Sequence, residues 1–324
     1  MHLAQNEPVL LTLALMRFNL SLRNNKLFDV VGLGLNSIDF LSLVPEFPAS
    51  NSKMEILRFA TSGGGQVATA MVALSRWDVK TKYIGKVGSD EFGRLSLESI
   101  RQEGVDVSSM KIEPNTSTQL GNIIVEASSG DRTILWRRDG RLMYREGELR
   151  REEVCSGKIL HLDGHDIKAA IQATKWAREE GIPTVIDIDK VEPLTPELIK
   201  EIDFIVTSSR FPSIFTGISD REKALTELQR HTRGFLCTTL GPEGAMALVD
   251  GEVLYVAGFK VDVVDTTGAG DVFHGGFIYG LLQNLEVTEI LRFANAVAGL
   301  KCCDLGGRSA IPSLDEAYRF LNPR

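Results

Sequence analysis

Gly268, Ala269, Gly270 and Asp271 stand in succession ahead of a helical pattern, and small residues beside a carboxylate are a combination that can handle phosphate. Phe273, Gly276, Phe277, Gly280 and Leu281 recur at i, i+3, i+4, i+7 and i+8, the spacing of one buried helix face. That periodicity puts the small residues at the helix N-terminus, where free backbone N–H groups and the positive end of the helix dipole attract anions. A carboxylate within a turn of a bound phosphate is electrostatically unfavourable unless chemistry uses it. Asp271 would then take a proton from a hydroxyl that attacks phosphorus. The same four residues also suit a tight strand-to-helix turn in which Asp271 only stabilises the first helical turn.

Other positions offer chemistry of their own. Asp39 closes Gly34-Leu35-Asn36-Ser37-Ile38-Asp39 after an apolar strand pattern and is expected at the carboxyl edge of a sheet. Its carboxylate would accept two hydroxyl hydrogen bonds from a polyol, or serve a turn. Gly63, Gly64 and Gly65 would let the backbone approach a ligand without a Cβ clash. Arg137 and Arg138 are adjacent in an extended stretch, so at most one faces inward. That one could grip a phosphate or sulfonate, although two solvated lid charges are the better reading of the pair. His161, Asp163 and His165 alternate along a strand as metal ligands could, but no fourth ligand is visible, and a substrate wall at a strand end is the better reading. Cys237 to Ala245 reads as a strand, a tight turn and a second strand.

The elements that must hold these residues alternate between strand and helix. Strands are expected at Asp29–Leu35, Lys80–Val87, Ile159–Leu162, Thr184–Ile188, Phe204–Val206 and Phe235–Leu240. Helices are expected at Ser62–Ser75, Glu91–Glu103, Ile167–Glu180, Arg221–His231, Val272–Gln283 and Val287–Cys303. Such alternation predicts a mostly parallel sheet covered on both faces, with ligands beyond the carboxyl ends of its strands. Phe40–Ala60 and Ser117–Arg138 break the rhythm as short strands without helices, the second around a Ser128-Ser129-Gly130-Asp131 turn. They predict a small β lid, with segments at about residues 40–60 and 117–138.

Across 324 residues, 43% are hydrophobic and the net charge is −7. This supports a large core and argues against a mainly electrostatic nucleic-acid binder. Four cysteines fit no disulfide framework or zinc spacing, which suits reduced thiols in the cytoplasm. The apolar run Val9–Met16 is far short of the ~20 residues that span a bilayer. Residues 1–26 therefore read as an N-terminal extension or a start assigned too early, and no membrane association is expected.

Val264-Asp265-Thr266-Thr267-Gly268-Ala269-Gly270-Asp271-Val272-Phe273 resembles the C-terminal signature of the PfkB/ribokinase family of small-molecule kinases. Ser62 to Ala70, continuing to Gly85, Gly88 and Asp90–Gly93, resembles its N-terminal signature. The resemblance covers about Asp29 to the C-terminus. It implies an α/β, ribokinase-like three-layer sandwich over residues 27–324, with a mostly parallel central sheet and a small β lid. It further implies ATP-dependent phosphorylation of a primary hydroxyl of a sugar or sugar derivative, with Mg²⁺ on the ATP phosphates. Asp271 would be the base, and Gly268, Ala269 and Gly270 the anion hole. Asp39, Asn36, Gly63, Gly64, Gly65 and Arg137 would surround the acceptor. Thr239, Gly241 and Gly244 would line the nucleotide, with Asn295 near the adenine. Asp265, Thr267, Gly306 and Ala310 would form a loop for a monovalent cation, K⁺, and the lid would double as a homodimer clasp.

The chain departs from the family pattern in two respects. Ala68 stands where an Asn usually contacts substrate hydroxyls, and Ser208 and Phe211 stand in register with an Asn-x-x-Glu element that organises magnesium, leaving Asp187 and Asp189 to assist. The triple-glycine signature, with Val261–Gly275 and Gly306-Gly307-Arg308, looks most like the sulfofructose-kinase branch. A nucleoside or vitamin kinase of the same fold, or a catalytically silent sugar- or nucleotide-binding regulator, are the alternatives.

Overall fold

Strand segments such as Val30–Leu33 and Val185–Ile188 are apolar at every position but one, so neither of their faces suits water. In the computed structural model, which describes residues 16–323, they lie in an eight-stranded sheet. Its strands are β1 (Phe28–Leu33), β4 (Thr81–Ile84), β9 (Gly157–Asp163), β10 (Thr184–Ile188), β11 (Phe204–Thr207), β12 (Phe235–Thr239), β13 (Gly244–Val249) and β14 (Glu252–Ala257). Their spatial order is β14–β13–β12–β11–β10–β9–β1–β4, parallel from β12 to β4 with two antiparallel strands at the other edge.

Alternate residues of each strand enter two separate cores. Val30, Ile159, Val185, Val206 and Cys237 pack beneath α1 (Gln66–Arg76), α8 (Ala269–Leu282) and α9 (Val287–Lys301). Val31, Leu160, Ile186, Ile205 and Leu236 pack beneath α4 (Ile167–Glu179), α5 (Thr195–Ile199) and α7 (Arg221–Gln229). Burial near ~25 cal/mol per Å² on both faces is what holds such a sheet together. Gly276 and Gly280 lie on the buried face of α8, where an added Cβ would come within 2.8 Å of Ala294 and Ile290, so α9 packs directly on backbone. Together with the lid described next, this is the ribokinase-like architecture that the alternation and the resemblance implied.

The lid is a second sheet in the order β3–β2–β7–β8, made of β2 (Ser37–Val44), β3 (Arg58–Gly64), β7 (Leu120–Glu126) and β8 (Arg132–Arg137). Its second hairpin falls where expected, but the first runs from Ser37 to Gly64. Ser62, Gly63 and Gly64, expected to open a helix, still pair with Asp39, Ile38 and Ser37. The helix starts only at Gln66, after Gly65 turns the chain at φ 95°. The strand expected at Lys80–Val87 is also two: β4 in the main sheet, and β5 (Lys86–Gly88), which pairs with β6 (Lys111–Glu113). The main-sheet pairing stops at Ile84, and Asn36 Nδ2 then takes the Lys86 carbonyl.

Phe18 meets the rings of Phe204 and Phe235 edge-on at 4.8 and 4.9 Å, and Met16 O accepts a hydrogen bond from Val287 N. Residues 16–22 thus clad the α8–α9 side of the core. The apolar run read at Val9–Met16 lies, except for Met16, outside the described residues. Among the described residues no helix is long and apolar enough to cross a membrane.

Candidate active site

α8 is capped by Gly268 in the left-handed conformation, φ 79°. A Cβ there would come within 2.6 Å of Gly307 O, so both the backbone angle and the close neighbour require glycine. The amides of Gly268 and Gly270 donate to no acceptor among the described residues, whereas that of Ala269 closes a turn onto Thr266 O at 3.2 Å. Of the three amides expected to form an anion hole, those of Gly268 and Gly270 are without an acceptor, while that of Ala269 is engaged in the turn. A Cβ on Gly270 would meet no protein atom within 4 Å.

Asp271 follows in the first turn of α8, partly exposed to the cleft. Burial, then the nearby Asp187 carboxylate, push its pKa up to about 7. Asp187 is itself buried and pushed well above the usual carboxylate range, first by desolvation and then by Asp189 and Asp163. His274 lies 3.4 Å from Asp187, but its ring nitrogens already face Gly270 O (2.7 Å) and Val206 O (3.3 Å), and burial lowers its pKa. The cleft thus holds two carboxyl groups with little cationic compensation. Asp187 and Asp189, at the end of β10, are oxygen donors of the kind a magnesium ion takes, and such an ion would relieve their repulsion. Of the positions in register with the missing acidic element, Phe211 is fully buried and Ser208 O accepts from Thr238.

Asp39 lies on β2 rather than in a loop at the edge of the main sheet. It accepts from Ser37 Oγ at 2.8 Å, and burial raises its pKa while Arg308 opposes the rise. Gly121 and Trp136 are paired with it in one row across the lid, so the three share a face. Trp136 is 60% exposed, with Lys190 Nζ 4.8 Å above its ring. Arg137, expected beside the acceptor, pairs with Leu120 in the neighbouring row and points to the face opposite Asp39 and Trp136. Arg138 is the half-buried one, lining a small pocket with Gly34, Tyr144 and Asp163.

Several residues expected to touch the ligand have partners within the protein. Asn36 is consumed by Tyr83 OH (2.9 Å), Lys86 O (3.2 Å) and Ser96 Oγ (3.0 Å). The space beside Gly63 belongs to the Arg308 guanidinium, that beside Gly64 to the Asp39 carboxylate, and that beside Gly65 to the backbone of Leu35 and Asn36. A side chain at Gly63 or Gly64 would collide with Arg308 or Asp39, so the glycines leave those two groups their space. Arg308, absent from the sequence-based set, donates to Gly64 O (2.8 Å), Thr69 Oγ1 (3.3 Å) and Ser99 Oγ (3.3 Å), and burial lowers its pKa to about 10. Its place in a Gly-Gly-Arg triplet was the available signal. Ala68 is fully buried in α1. His161 holds Val185 O (3.1 Å), while Asp163 accepts from Leu35 N (2.6 Å) and His165 N (2.9 Å); among the described residues no group of ligands assembles for a metal.

On the nucleotide side, Thr239 ends β12, and Gly241 and Gly244 bend the turn to β13 with φ of 61° and 107°. Gly241 faces open space, whereas Gly244 packs against Val256 O. Asn295, expected near the adenine, is buried rather than a surface amide: its Nδ2 donates to Val256 O (3.0 Å) and Ala257 O (3.3 Å), fixing β14 to α9. Asp265, Thr267 and Gly306 do assemble, because the Asp265 carboxylate accepts from Thr267 N and Gly306 N, each at 2.8 Å. Ala310 takes no part in these bonds. A free potassium ion fits this loop poorly, since the buried Lys301 ammonium already holds Asp265 O at 3.0 Å.

An α/β sheet with acceptor-free amides at a helix end, a carboxyl group in the same turn and a second small sheet suits a small-molecule kinase. The family model for pfkB family carbohydrate kinases matches residues 27–314, and the chain belongs to that family. It is similar to the ribokinase of Haemophilus influenzae, with 27% identity over 89% of this chain and 97% of the relative. It is also similar to probable fructokinase-2 of Arabidopsis thaliana, with 30% identity over 90% and 95%. Among solved structures, Arabidopsis thaliana ribokinase complexed with ribose and ATP shares the fold: TM-score 0.77, 22% identity, 91% of this chain and 99% of that one. The chain is thus a carbohydrate kinase and an ATP-binding transferase.

The two anion-site glycines predict opposite failures. Gly270→Ala should fold at least as stably as the parent, because Ala gains up to ~1 kcal/mol in a helix, yet should bind ATP poorly because its methyl group enters the ligand space. Gly268→Ala should lose stability instead. Thermal melts paired with ATP titration check both, and unimpaired ATP binding by Gly270→Ala would refute the assignment.

Proposed function

We propose that this chain transfers the γ-phosphoryl group of ATP to a primary hydroxyl of a sugar or sugar derivative, with Asp271 as general base. One coincidence carries this reading: at a single helix end stand two unpartnered amides, a glycine with open space before it, and a carboxyl group held near pKa 7. A base is most effective with its pKa near the working pH. Asp39 orients the acceptor by accepting hydrogen bonds from its hydroxyls, with Trp136 on the same lid face to cover the C–H surface of the ring. Asp271 receives the proton of the attacking hydroxyl. The Gly268 and Gly270 amides are preorganised for the charge that develops on the transferred group. Thr239, Gly241 and Gly244 shape the nucleotide wall. Magnesium, which neutralises charge on the ATP phosphates when bound, would be held from the protein side by Asp187 and Asp189. Four free cysteines and an ATP requirement suit the cytoplasm.

Asp271→Asn should lower kcat by about two decades or more while ATP still binds; near-normal turnover would sink the mechanism. In the parent, kcat/KM should rise tenfold per pH unit up to about pH 7, where Asp271 becomes ionised. Stability should run the other way. Between the ordinary carboxylate range and about pH 7 the folded protein keeps a proton that the unfolded chain has released, so this group stabilises at low pH and loses that contribution as pH rises. At pH 8 (roughly one unit above that pKa), Asp271→Asn should therefore melt a few degrees higher than the parent, on the order of 2–4 °C per kcal/mol.

Arg138 favours an acceptor with an anionic group, in keeping with the sulfofructose-kinase-like glycine signature. Among the described residues it makes no hydrogen bond or ion pair and feels only longer-range attraction from groups such as Asp166. A charge-assisted pair is worth roughly 1.5–3 kcal/mol, so Arg138→Gln should raise KM for a sulfonated or phosphorylated ketose about tenfold or more and leave ribose and fructose unaffected. Equal effects on both classes would refute the anionic acceptor.

The homodimer is supported by the outer lid face, where Phe59 and Leu135, on the same side as Phe40, are each 58% exposed. Apolar residues grouped on one sheet face commonly mark an interface. Light scattering should give a dimer mass, and Phe59→Glu with Leu135→Glu a monomer; a monomeric parent would overturn this.

A further inference from the structure

Lys301 is the last residue of α9 and is fully buried, with 0% exposure. A lysine at a helix end ordinarily runs its stem along the surface and leaves its ammonium in water. Here the ammonium is turned inward, and its one hydrogen bond among the described residues goes to Asp265 O at 3.0 Å. Burying an ammonium is costly unless charge or hydrogen bonds compensate it. Burial does lower its pKa, against the attraction of Asp265, Cys302 and Asp271, with Arg132 as the cationic neighbour.

The carbonyl it grips opens the loop that carries the anion hole. Asp265 N and Val264 N both donate to Cys302 O, at 3.1 and 2.8 Å, and the Asp265 carboxylate takes Thr267 N and Gly306 N. Every polar group of Asp265 is therefore engaged: its amide by Cys302, its carboxylate by the two loops and its carbonyl by Lys301. Three residues further on stands Gly268, whose amide is part of the anion site.

We propose that Lys301 is a tethered monovalent cation, standing in for the free potassium ion that the resemblance assigns to this loop. An ammonium carries the same unit charge as K⁺, is of comparable size and is likewise met by backbone carbonyl oxygen. Placed at the C-terminal end of α9, it also faces the negative end of that helix dipole. A second monovalent cation on the same carbonyl would be repelled by the first. Lys301 touches no substrate; it is a positioning residue that keeps the Asp265–Gly270 loop in the geometry the anion hole needs, without any ion from solution. This role rests on the kinase reading of the Gly268–Asp271 turn.

The test exchanges potassium chloride for choline chloride up to about 100 mM at constant ionic strength, reading both turnover and melting temperature. The parent should keep its kcat within about twofold and show no potassium-dependent melting shift. Lys301→Met should lose about tenfold or more in kcat, as loss of a supporting residue around a charged site does. Potassium should restore part of that loss and raise the melting temperature of the variant alone. Severalfold stimulation or thermal stabilisation of the parent by potassium would overturn the proposal. So would a Lys301→Met variant as active as the parent in choline, or one whose loss potassium does not repair. If Lys301→Met fails to fold, the parent's melting titration still decides. That titration needs no acceptor sugar, so a failure to phosphorylate any sugar would count against the kinase reading and leave this result standing.

Discussion

The arrangement depends most on one buried carboxylate. Asp265 accepts from Thr267 N and from Gly306 N, the latter 41 positions away in sequence. Bonds from amides to an ionised acceptor are short and strong compared with neutral ones, and this pair locks two loops that share no secondary structure. Gly307 then lies against Gly268, which explains why the helix cap must be glycine in the left-handed conformation. One residue further, Arg308 is delivered to Gly64 O and to the neighbourhood of Asp39. The Gly268–Asp271 turn and the Asp39 end of the cleft are thereby referred to a common anchor, and the distance between them does not depend on the small sheet alone.

The electrostatics of the cleft follow from what that anchor assembles. Asp39, Asp187 and Asp271 all have raised pKa values, with desolvation the leading cause in each. In a packed interior such a grouping costs stability, and it persists because the surrounding fold over-determines it. The arrangement has a use in phosphoryl transfer. A carboxyl group that is hard to ionise in water-poor surroundings makes a stronger base once it is ionised. The trade between activity and stability at Asp271 follows from the same desolvation.

Some of this was legible in the residues and some was not, for physical reasons. Asp271 and the α8 periodicity are local: capping, dipole and face all lie within one helix, so spacing alone displays them. The strand that carries Asp39 was not legible, because pairing of Ser37–Asp39 with Ser62–Gly64 is a long-range choice that overrides the helical appearance of the glycine run. The internal partners of Asn36, Gly63, Gly64 and Asn295 could not be read for one reason: each lies far away in sequence, as Tyr83 OH, Arg308 and Val256 O do. The choice between Arg137 and Arg138 turned on register, where a slip of one residue exchanges the two faces. Lys301 was invisible because a lysine in the last turn of a helix ordinarily does nothing more than favour the dipole.

The lid and the anion site are also joined, but by weaker means. The turn of the β7–β8 hairpin offers Gly130 O to Thr266 N (3.3 Å) and Thr266 Oγ1 (3.1 Å), and Arg132 returns a bond to Thr266 Oγ1 at 2.7 Å. Arg132 is exposed and Thr266 only half-buried. Bonds in such settings contribute about 0.5–1.5 kcal/mol each and can be replaced by water. The Asp265 tie is fully buried, and water cannot take its place without opening the core. The two sets of bonds meet at adjacent residues, Asp265 and Thr266. The small sheet therefore touches the Thr266–Ala269 turn only through bonds that water can replace, while the same turn is held from behind by the buried Asp265 tie, so the turn does not need the small sheet to keep its shape.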